Sequence, residues 1–204
     1  MFLAFVATMG LTNLFVTDVC VGDEGNDERL AYLYDRRRVV PSGLAGEIVL
    51  PPGPNGDPST QFSRPPYLVG FRSRADNFSL LTAHIKYGDV PEDRIEEIRL
   101  MAHYAAKELR KRTKTGQSEE ANLIVLGDFN IDERGDNPLF VEFRATGLTV
   151  PPQLENLRTT FGTKPKYYDQ IAWFMGDMSL SFCNAGVIDF AGAVFPELTL
   201  RQTS

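Results

Sequence analysis

Short apolar segments, separated by turn-forming residues, run along most of the chain and predict an architecture rich in β-strands. The segments are rich in β-branched and aromatic residues, and clusters of Gly, Pro, Asp and Asn bound them. They predict strands over residues 15–21, 29–35, 47–50, 67–73, 168–174 and 178–184. The Pro- and Gly-rich stretch 51–66 is predicted to be a flexible loop.

Two further segments are apolar on both faces. They are FSLLTAHIKYG at 78–88 and NLIVLGDFN at 122–130. A strand that is covered on both sides by other layers has this pattern. Both segments are therefore predicted to lie in the middle of a sheet.

A long helix is predicted between these two strands, in the segment 89–114. Its apolar residues recur at helical spacing and are Ile95, Ile98, Ala102, Ala105 and Leu109. Glu92 and Asp93 fall in the first turn and the basic run 107–114 in the last, where the helix dipole favours each charge. The basic run is therefore interpreted as a solvated helix end rather than as a phosphate-binding patch.

A shorter helix is predicted to begin at Asn137 and Pro138, a capping side chain followed by Pro at the first helical position, and to end before Gly147. A strand, a long helix and a strand in the middle of the chain, with strands around them, indicate a mixed α/β or α+β fold. A chain of 204 residues can bury a sizeable core without disulfides, so residues 1–204 are predicted to form a single domain.

Composition narrows the classes of function. With 43% hydrophobic and 24% charged residues, the chain is an ordinary globular protein rather than a disordered or fibrous one. The formal net charge of -6 argues against electrostatic binding of nucleic acid or anionic membranes over a large part of the surface. Any phosphate chemistry must be local, and Arg36, Arg37, Arg38 and Lys86 form the candidate patch for a short substrate.

The first residues and the cysteines bear on location. The start MFLAFVATMG lacks a basic region and a long apolar core, so we expect no signal peptide, no membrane span and, by default, a cytoplasmic protein. Cys20 and Cys183 both lie in apolar, strand-like segments. Two buried free thiols are expected rather than a disulfide.

The sharpest chemical signal is LIVLGDFN, in which an apolar strand runs into Asp128 and Asn130. If the strand continues to Asn130, the two side chains, two residues apart, point to the same side. A carboxylate there can orient or deprotonate water, and a carboxamide can hydrogen-bond a phosphoryl oxygen without repelling it. The alternative is a polar strand exit with an Asx turn, and spacing does not separate the two.

Three more polar residues accompany apolar strands. His84 lies near the end of its strand, where it could donate to a phosphoryl oxygen or could be a satisfied core histidine. Glu28 and Asp169 each lead an apolar strand, where a charge is costly unless it is paired. Glu28 could be the carboxylate that pairs with His84, and the alternative is an exposed glutamate paired with a neighbouring arginine.

Taken in order, five segments resemble the endonuclease/exonuclease/phosphatase superfamily, which includes pancreatic-type deoxyribonuclease, abasic-site endonucleases, inositol polyphosphate phosphatases and bacterial sphingomyelinases. The segments are ERLAYLYDRRRVV, FSRPPYLVGFRS, TAHIKYG, LGDFNID and YDQIAWF. GDFN after an apolar strand, with a TxH strand before it and a YDxI strand after it, is a specific ordered set. The resemblance covers about residues 15–195.

The resemblance implies a four-layer α/β sandwich of two mixed β-sheets flanked by helices, and hydrolysis of a phosphate ester that requires Mg²⁺ or Mn²⁺. It implies that Asp128 activates the attacking water and that Asn130 holds the phosphate and the catalytic assembly, with both residues at the metal. His84 is similar to the phosphate-contacting residue of the TxH strand, and Glu28 to its partner. Asp169 is similar to the acid that orients a second histidine.

Some motifs of the superfamily do not occur in this sequence. They are an Asn on the first strand, a metal-binding Glu in a Gln-Glu context and a Ser-Asp-His strand. We therefore expect a domain that is incomplete at both ends. The expected function is nuclease-like hydrolysis of phosphodiester bonds by a monomer, on nucleic acid, a nucleotide or a lipid headgroup.

Two alternatives remain open. The first is a catalytically inactive fragment, or a binding or scaffold module of the same fold. The second is an unrelated α/β domain that matches by chance, which predicts that the five polar residues lie scattered. Convergence of these residues at one place would separate the second alternative from the resemblance.

Overall fold

A computed structural model describes residues 30–52, 55, 61–74, 76–106, 122–160, 164–175 and 181–188, and the backbone of residues 13–16. Its strands are β1 (Asn13–Val16), β2 (Ala31–Tyr34), β3 (Val40–Glu47), β4 (Tyr67–Ser73), β5 (Asp76–His84), β6 (Leu123–Asp128), β7 (Leu148–Thr149) and β8 (Asp169–Phe174). Its α-helices are α1 (Glu92–Tyr104) and α2 (Pro138–Arg144). In these ranges, no helix has the length and apolar character needed to cross a membrane.

Six strands form one mixed sheet in the order β3-β4-β5-β6-β8-β7. The central neighbours β5 and β6 are parallel, and the other neighbouring pairs are antiparallel. A parallel pair needs a crossover connection, and α1 lies in it. The prediction of two central strands at 78–88 and 122–130 is confirmed, and so is the mixed α/β class.

The two faces of this sheet are covered differently. The helices pack on one face, over a core of buried side chains that includes Leu81, Ile98, Met101, Val125 and Phe143. On the other face, β1 and β2 form a two-stranded antiparallel sheet, and Tyr32 of β2 packs against Val69 and Phe71 of β4. The predicted mixed sheet with flanking helices is confirmed, and two strands of a second sheet belong to the described residues.

The strand predicted at 47–50 is wrong, because β3 ends at Glu47 and the Ile48 amide donates to the Pro66 carbonyl oxygen at 2.8 Å. The actual strand reads VPSGLAGE, a composition that does not favour strands. Among the described strands β3 pairs only with β4, and a strand at the edge of a sheet tolerates Pro and Gly because it pairs on one side only. Its register with β4 shifts between Pro41 and Ala45.

The prediction at 178–184 is also wrong where it can be compared, because residues 181–184 are not in a strand. There the Phe182 ring packs on Trp173, with 5.4 Å between the ring centroids. Cys183 is a free and exposed thiol, so its expected burial is wrong. Cys20 and the segment 17–21 of the first predicted strand lie outside the described residues.

The end of the predicted flexible loop is packed rather than free. The Gln61 side chain accepts from the Leu50 amide at 2.9 Å and donates to the Leu50 carbonyl at 3.0 Å. Phe62 is only 2% exposed and belongs to the main core. Residues 61–66 are therefore part of the folded structure.

Both helices confirm their predicted starts. Glu92 and Asp93 lie in the first turn of α1, while the basic run 107–114 lies outside the described residues. Asn137 caps α2 by accepting from the Leu139 amide at 3.0 Å, and the helix ends before Gly147. The buried face of α1 contains two charged residues in addition to apolar ones: Arg94, Glu97, Ile98, Met101 and Ala102.

Candidate active site

Three polar side chains lie side by side at one end of the sheet. His84, the last residue of β5, is the register partner of Asp128, the last residue of β6. Asp128 is in turn the partner of Asp169, the first residue of β8. Because Ala83 and Ala172 face the core under the helices, the alternation along each strand directs the three polar side chains to the opposite face. We call these three residues the polar row.

The His84 imidazole and the Asp128 carboxylate are close enough to interact electrostatically. Nε2 of His84 lies 3.8 Å from Oδ2 of Asp128, and the two side chains are 25% and 34% exposed. A core histidine would be enclosed. The structure instead leaves an imidazole and a carboxylate within reach of a ligand at the end of the sheet.

Asn130 fixes the turn that follows β6. Its backbone amide donates to Oδ1 of Asp128 at 2.9 Å, so the Asx turn considered from the sequence is present. Its side-chain Nδ2 donates to the Ile85 carbonyl oxygen at 2.7 Å, and the residue is 4% exposed with φ of 50°. Asn130 thus ties the ends of β5 and β6 together beside Asp128, while its contact with phosphate stays a prediction.

Gly127 lets β6 approach β5 closely just before this turn. Its φ is 134°, and a Cβ atom here would collide with the Ala83 carbonyl oxygen. Residues with a side chain rarely adopt this conformation. The glycine of the GDFN motif therefore permits the register that places Asp128 beside His84.

The environment of Asp169 differs from that of an exposed acid. Burial raises the pKa of Asp169, a hydrogen bond with Thr159 opposes this rise, and the negative charge of Asp128 adds to it. Oγ1 of Thr159 also accepts from the Asp169 amide at 3.0 Å. Asp169 thus lies where burial disfavours its charged form, and the neighbouring acid Asp128 contributes to this.

Glu28 lies outside the described residues, so its pairing with His84 stays a prediction. The other four predicted site residues, His84, Asp128, Asn130 and Asp169, are at the same end of the sheet. This convergence contradicts the chance match, which required scattered positions.

The patch predicted from Arg36–Arg38 and Lys86 is wrong, because its two parts lie at opposite ends of the sheet. The arginines precede β3, whose first residue Val40 pairs with Arg72. Arg72 pairs with Asn77 near the start of β5, whereas Lys86 follows the end of that strand. About seven residues of extended chain, roughly 23 Å, separate the two ends.

A network of three charged side chains, Arg94, Asp132 and Lys166, supports the polar row. The sequence pattern does not predict that these three residues are paired. Arg94 of α1 is 3% exposed, and its Nη1 donates to the Asn130 carbonyl oxygen at 2.6 Å. Its Nη2 pairs with Oδ2 of Asp132 at 2.9 Å. Lys166 Nζ donates to Oδ1 of the same carboxylate at 2.7 Å. The network joins α1, the turn after β6 and the segment that leads to β8.

Glu97, one helical turn after Arg94, holds the segment that follows His84. Its Oε2 accepts from the Lys86 amide at 2.8 Å, and its Oε1 accepts from the Ser63 amide at 2.6 Å. A buried charge is costly unless it is paired. Arg94 and Glu97 are three positions apart on the apolar side of the helix that the sequence predicts. This pattern could have indicated that both charged residues are buried and paired.

An aromatic pair lies in the two chain segments that adjoin the polar row in sequence. The rings of Tyr87 and Tyr168 meet edge to face, with 6.1 Å between centroids and 78° between planes. Tyr87 lies three residues after His84, and Tyr168 directly precedes Asp169. Burial and a hydrogen bond with Tyr87 raise the pKa of Tyr168 to about 12. The Arg94 guanidinium lies 4.9 Å from the Tyr87 ring centroid, yet Tyr87 remains 55% exposed.

The acids of the polar row are the ligand type that Mg²⁺ and Mn²⁺ take. Such ions are commonly held by one or two carboxylates together with substrate phosphate oxygens and water. Within the described ranges, no group of three or more His, Cys, Asp or Glu residues could hold a metal ion. A metal ion held by Asp128 and Asp169 together with a phosphate substrate therefore stays a prediction, and so does metal dependence.

Comparison of the sequence with known proteins gives one informative relative. No protein-family model matches the chain. A deoxyribonuclease of Thioalkalivibrio sp. (strain K90mix) is 29% identical over 148 residues, which are 70% of this chain and 38% of the relative. The chain therefore spans well under half the length of this curated relative.

The solved structures define the class of fold. An endonuclease/exonuclease/phosphatase from Bacteroides vulgatus has a TM-score of 0.51 at 13% identity and covers 84% of this chain and 67% of its own. The mannosyl-6-phosphatase of Bacteroides thetaiotaomicron has a TM-score of 0.55 at 20% identity, covering 86% and 68%. TDP2 of D. rerio, complexed with a single-strand DNA product, has a TM-score of 0.52 at 15% identity, covering 84% and 65%. The chain has the fold of the endonuclease/exonuclease/phosphatase proteins, as its motifs predicted.

Proposed function

We propose that this chain belongs to a phosphoesterase that depends on a divalent metal and hydrolyses phosphodiester bonds in the manner of a nuclease. The supporting observation is the polar row, in which an imidazole and two carboxylates from three neighbouring strands meet at one end of the sheet. A deoxyribonuclease shares part of its sequence, and a protein complexed with a DNA product shares its fold.

In the proposed reaction, Asp128 accepts a proton from the attacking water. The water oxygen bonds to phosphorus, the ester bond to the leaving oxygen breaks, the leaving oxygen takes up a proton from solvent, and Asp128 later returns its proton to solvent. His84, 3.8 Å from Asp128, donates to a phosphoryl oxygen and offsets the charge that develops there. Asn130 keeps the Asp128 carboxylate in place through its amide, as the 2.9 Å hydrogen bond indicates.

Asp128, with Asp169 on the neighbouring strand, would hold Mg²⁺ or Mn²⁺, and the carboxamide of Asn130 is the further metal contact that the resemblance implies. The bound ion would stabilise negative charge on the phosphoryl and leaving oxygens as a Lewis acid. The negative charge of Asp128 contributes to the raised pKa of Asp169, and a bound cation would offset the repulsion between the two carboxylates.

The test is hydrolysis of bis(p-nitrophenyl) phosphate by the 204-residue chain with and without Mg²⁺ or Mn²⁺. Asp128→Asn keeps the shape of the side chain but removes the proton acceptor, so kcat should fall by about 10²- to 10⁴-fold. The matched control is Asp136→Asn, because Asp136 is an exposed acid in the loop before α2. Its kcat should equal that of the wild type.

Undiminished turnover in Asp128→Asn would contradict the proposed role of this residue. Binding of a phosphodiester without turnover under all metal conditions would instead support the inactive binding module. Turnover that is insensitive to chelation of divalent ions would contradict metal dependence alone.

A further inference from the structure

We propose that Tyr87 is the residue against which the nucleobase next to the scissile phosphate stacks. This inference rests on the proposed function and names its substrate as a phosphodiester that carries a base, rather than a lipid headgroup. It follows from the position, the exposure and the support of the Tyr87 ring.

The position is at the end of the sheet that carries the polar row. Tyr87 follows His84 by three residues, and its ring contacts that of Tyr168, the neighbour of Asp169. Both tyrosines are therefore connected by a few backbone bonds to the residues that would hold the phosphate. A base attached to that phosphate through one sugar lies within the reach of side chains at this end.

The Tyr87 side chain is exposed, although two neighbouring side chains contact its ring. Tyr87 is 55% exposed, although Arg94 lies 4.9 Å from its ring centroid and Tyr168 meets it edge to face. Arg94 is itself fixed by bonds to the Asn130 carbonyl and the Asp132 carboxylate. The exposed ring is thus held in place before any ligand arrives, which lowers the entropy cost of stacking on it.

The chemistry of a fixed, exposed aromatic ring selects a planar partner. Aromatic rings stack with an offset on other planar rings, and every nucleobase presents such a face. Lipid headgroups carry no planar ring. Stacking is tolerant of base identity, so Tyr87 would favour base-bearing substrates without reading sequence.

The test compares two chromogenic diesters that differ in the base alone. They are thymidine 5′-(p-nitrophenyl phosphate) and the same ester of 1,2-dideoxyribose, which has the sugar but no base. Tyr87→Leu should raise KM for the thymidine ester about ten- to hundredfold, with little change in kcat, and leave KM for the baseless ester unchanged. Tyr87→Phe keeps the ring but loses the hydroxyl that bonds to Tyr168, and it should keep most of the wild-type preference for the thymidine ester over the baseless ester.

The matched control is Phe182→Leu, which removes another half-exposed aromatic ring that lies beside Trp173. It should change neither KM. An equal rise in KM for both esters in Tyr87→Leu would overturn the inference. It would mean that Tyr87 contacts the sugar or that the substitution disturbs the fold. An unchanged KM for the thymidine ester would overturn it as well.

A binding measurement separates this inference from the proposed function. If the wild type hydrolyses neither ester, calorimetric titration with thymidine 5′-monophosphate and with 1,2-dideoxyribose 5-phosphate decides the question. Tighter binding of the thymidine compound that is lost in Tyr87→Leu and kept in Tyr87→Phe would support stacking in a protein that does not hydrolyse these esters. Equal binding of the two compounds by the wild type would overturn the stacking role.

Discussion

Gly127 brings the backbone of β6 against Ala83 of β5, and this contact aligns Asp128 with His84. Asn130 then returns the chain through a left-handed conformation and bonds both to Asp128 and to Ile85. At the residue scale, the site is therefore set by backbone geometry at two positions of the GDFN motif. The motif is informative because such geometry restricts which residues can occupy it.

Gly127→Ala should destabilise the protein by about 2 to 4 kcal/mol, because the new Cβ collides with the Ala83 carbonyl at a φ that alanine rarely adopts. Urea denaturation measures the change. The control is Gly46→Ala, where a Cβ meets nothing within 4 Å, and its free energy of unfolding should stay within about 0.5 kcal/mol of the wild type. Equal effects at the two glycines would contradict the proposed strain.

The buried hydroxyl of Tyr32 should make the free energy of unfolding depend on pH in the alkaline range. Its hydroxyl lies 2.8 Å from that of Thr82 and 3.0 Å from the Tyr67 carbonyl, and burial raises its pKa from 10.0 to about 12. Because the folded state holds this proton more tightly, the stability contribution is present below pH 10 and is lost as the pH rises towards 12. The loss corresponds to about 2 to 3 kcal/mol.

Urea denaturation at several alkaline pH values tests this. The wild type should lose more stability than Tyr32→Phe between pH 10 and 12, since phenylalanine has no proton to release. Parallel curves for the two proteins would show that Tyr32 does not titrate in this way.

At the element scale, the crossover from β5 through α1 to β6 carries the site. Arg94 and Glu97 on the buried face of α1 bond to the turn after β6 and to the segment after β5. The helix therefore determines the relative position of the two strand ends in addition to covering the sheet.

Arg94→Met should reduce the free energy of unfolding by about 3 to 5 kcal/mol, because it removes one partner from a buried charge network that includes Asp132. Arg99→Met on the same helix removes an exposed arginine that pairs with Glu96 and Glu142, and should cost at most about 1 kcal/mol. Thermal and urea denaturation compare the two variants. Similar losses would mean that Arg94 contributes no more than a surface pair.

The elements differ in how far the sequence predicted them. Strands β4 and β8 follow their apolar pattern because their buried side chains determine it. Strand β3 is not predicted because its pairing as an edge strand tolerates Pro and Gly. The partners of Arg94 are 36 and 38 positions away along the chain, so no local pattern reveals them. The order of the motifs along the chain predicted that His84, Asp128 and Asp169 lie close together. The strand register that aligns them could be seen only in the structure.

At the scale of the whole molecule, the polar row and the arginines of the predicted basic patch lie at different ends of the sheet. The polar row has two carboxylates, while Arg36–Arg38, Arg72 and Arg74 lie near the other end, where Arg37 pairs with Asp35 at 2.8 Å. About 23 Å of extended strand separates the ends, which exceeds the screening length of roughly 8 Å at physiological ionic strength. The arginines therefore have little influence on a small substrate at the polar row.

Replacing both Arg36 and Arg38 with Ser should leave kcat/KM for bis(p-nitrophenyl) phosphate unchanged at physiological salt. Lys86→Ser, two residues after His84, should lower the same quantity several-fold because it removes a positive charge near the phosphate. Steady-state kinetics at two salt concentrations measure both. An effect of the arginine pair that equals that of Lys86 would contradict this separation.

The central claim is that His84, Asp128 and Asp169 form one phosphate and metal site. A crystal structure of the chain with Mn²⁺ and thymidine 5′-monophosphate tests it directly, because manganese is located by its anomalous scattering. We expect the manganese about 2.0 to 2.2 Å from an oxygen of Asp128, with the phosphate in hydrogen-bonding contact with His84. Manganese and phosphate bound together at any other place, with the polar row free of both, would contradict the claim.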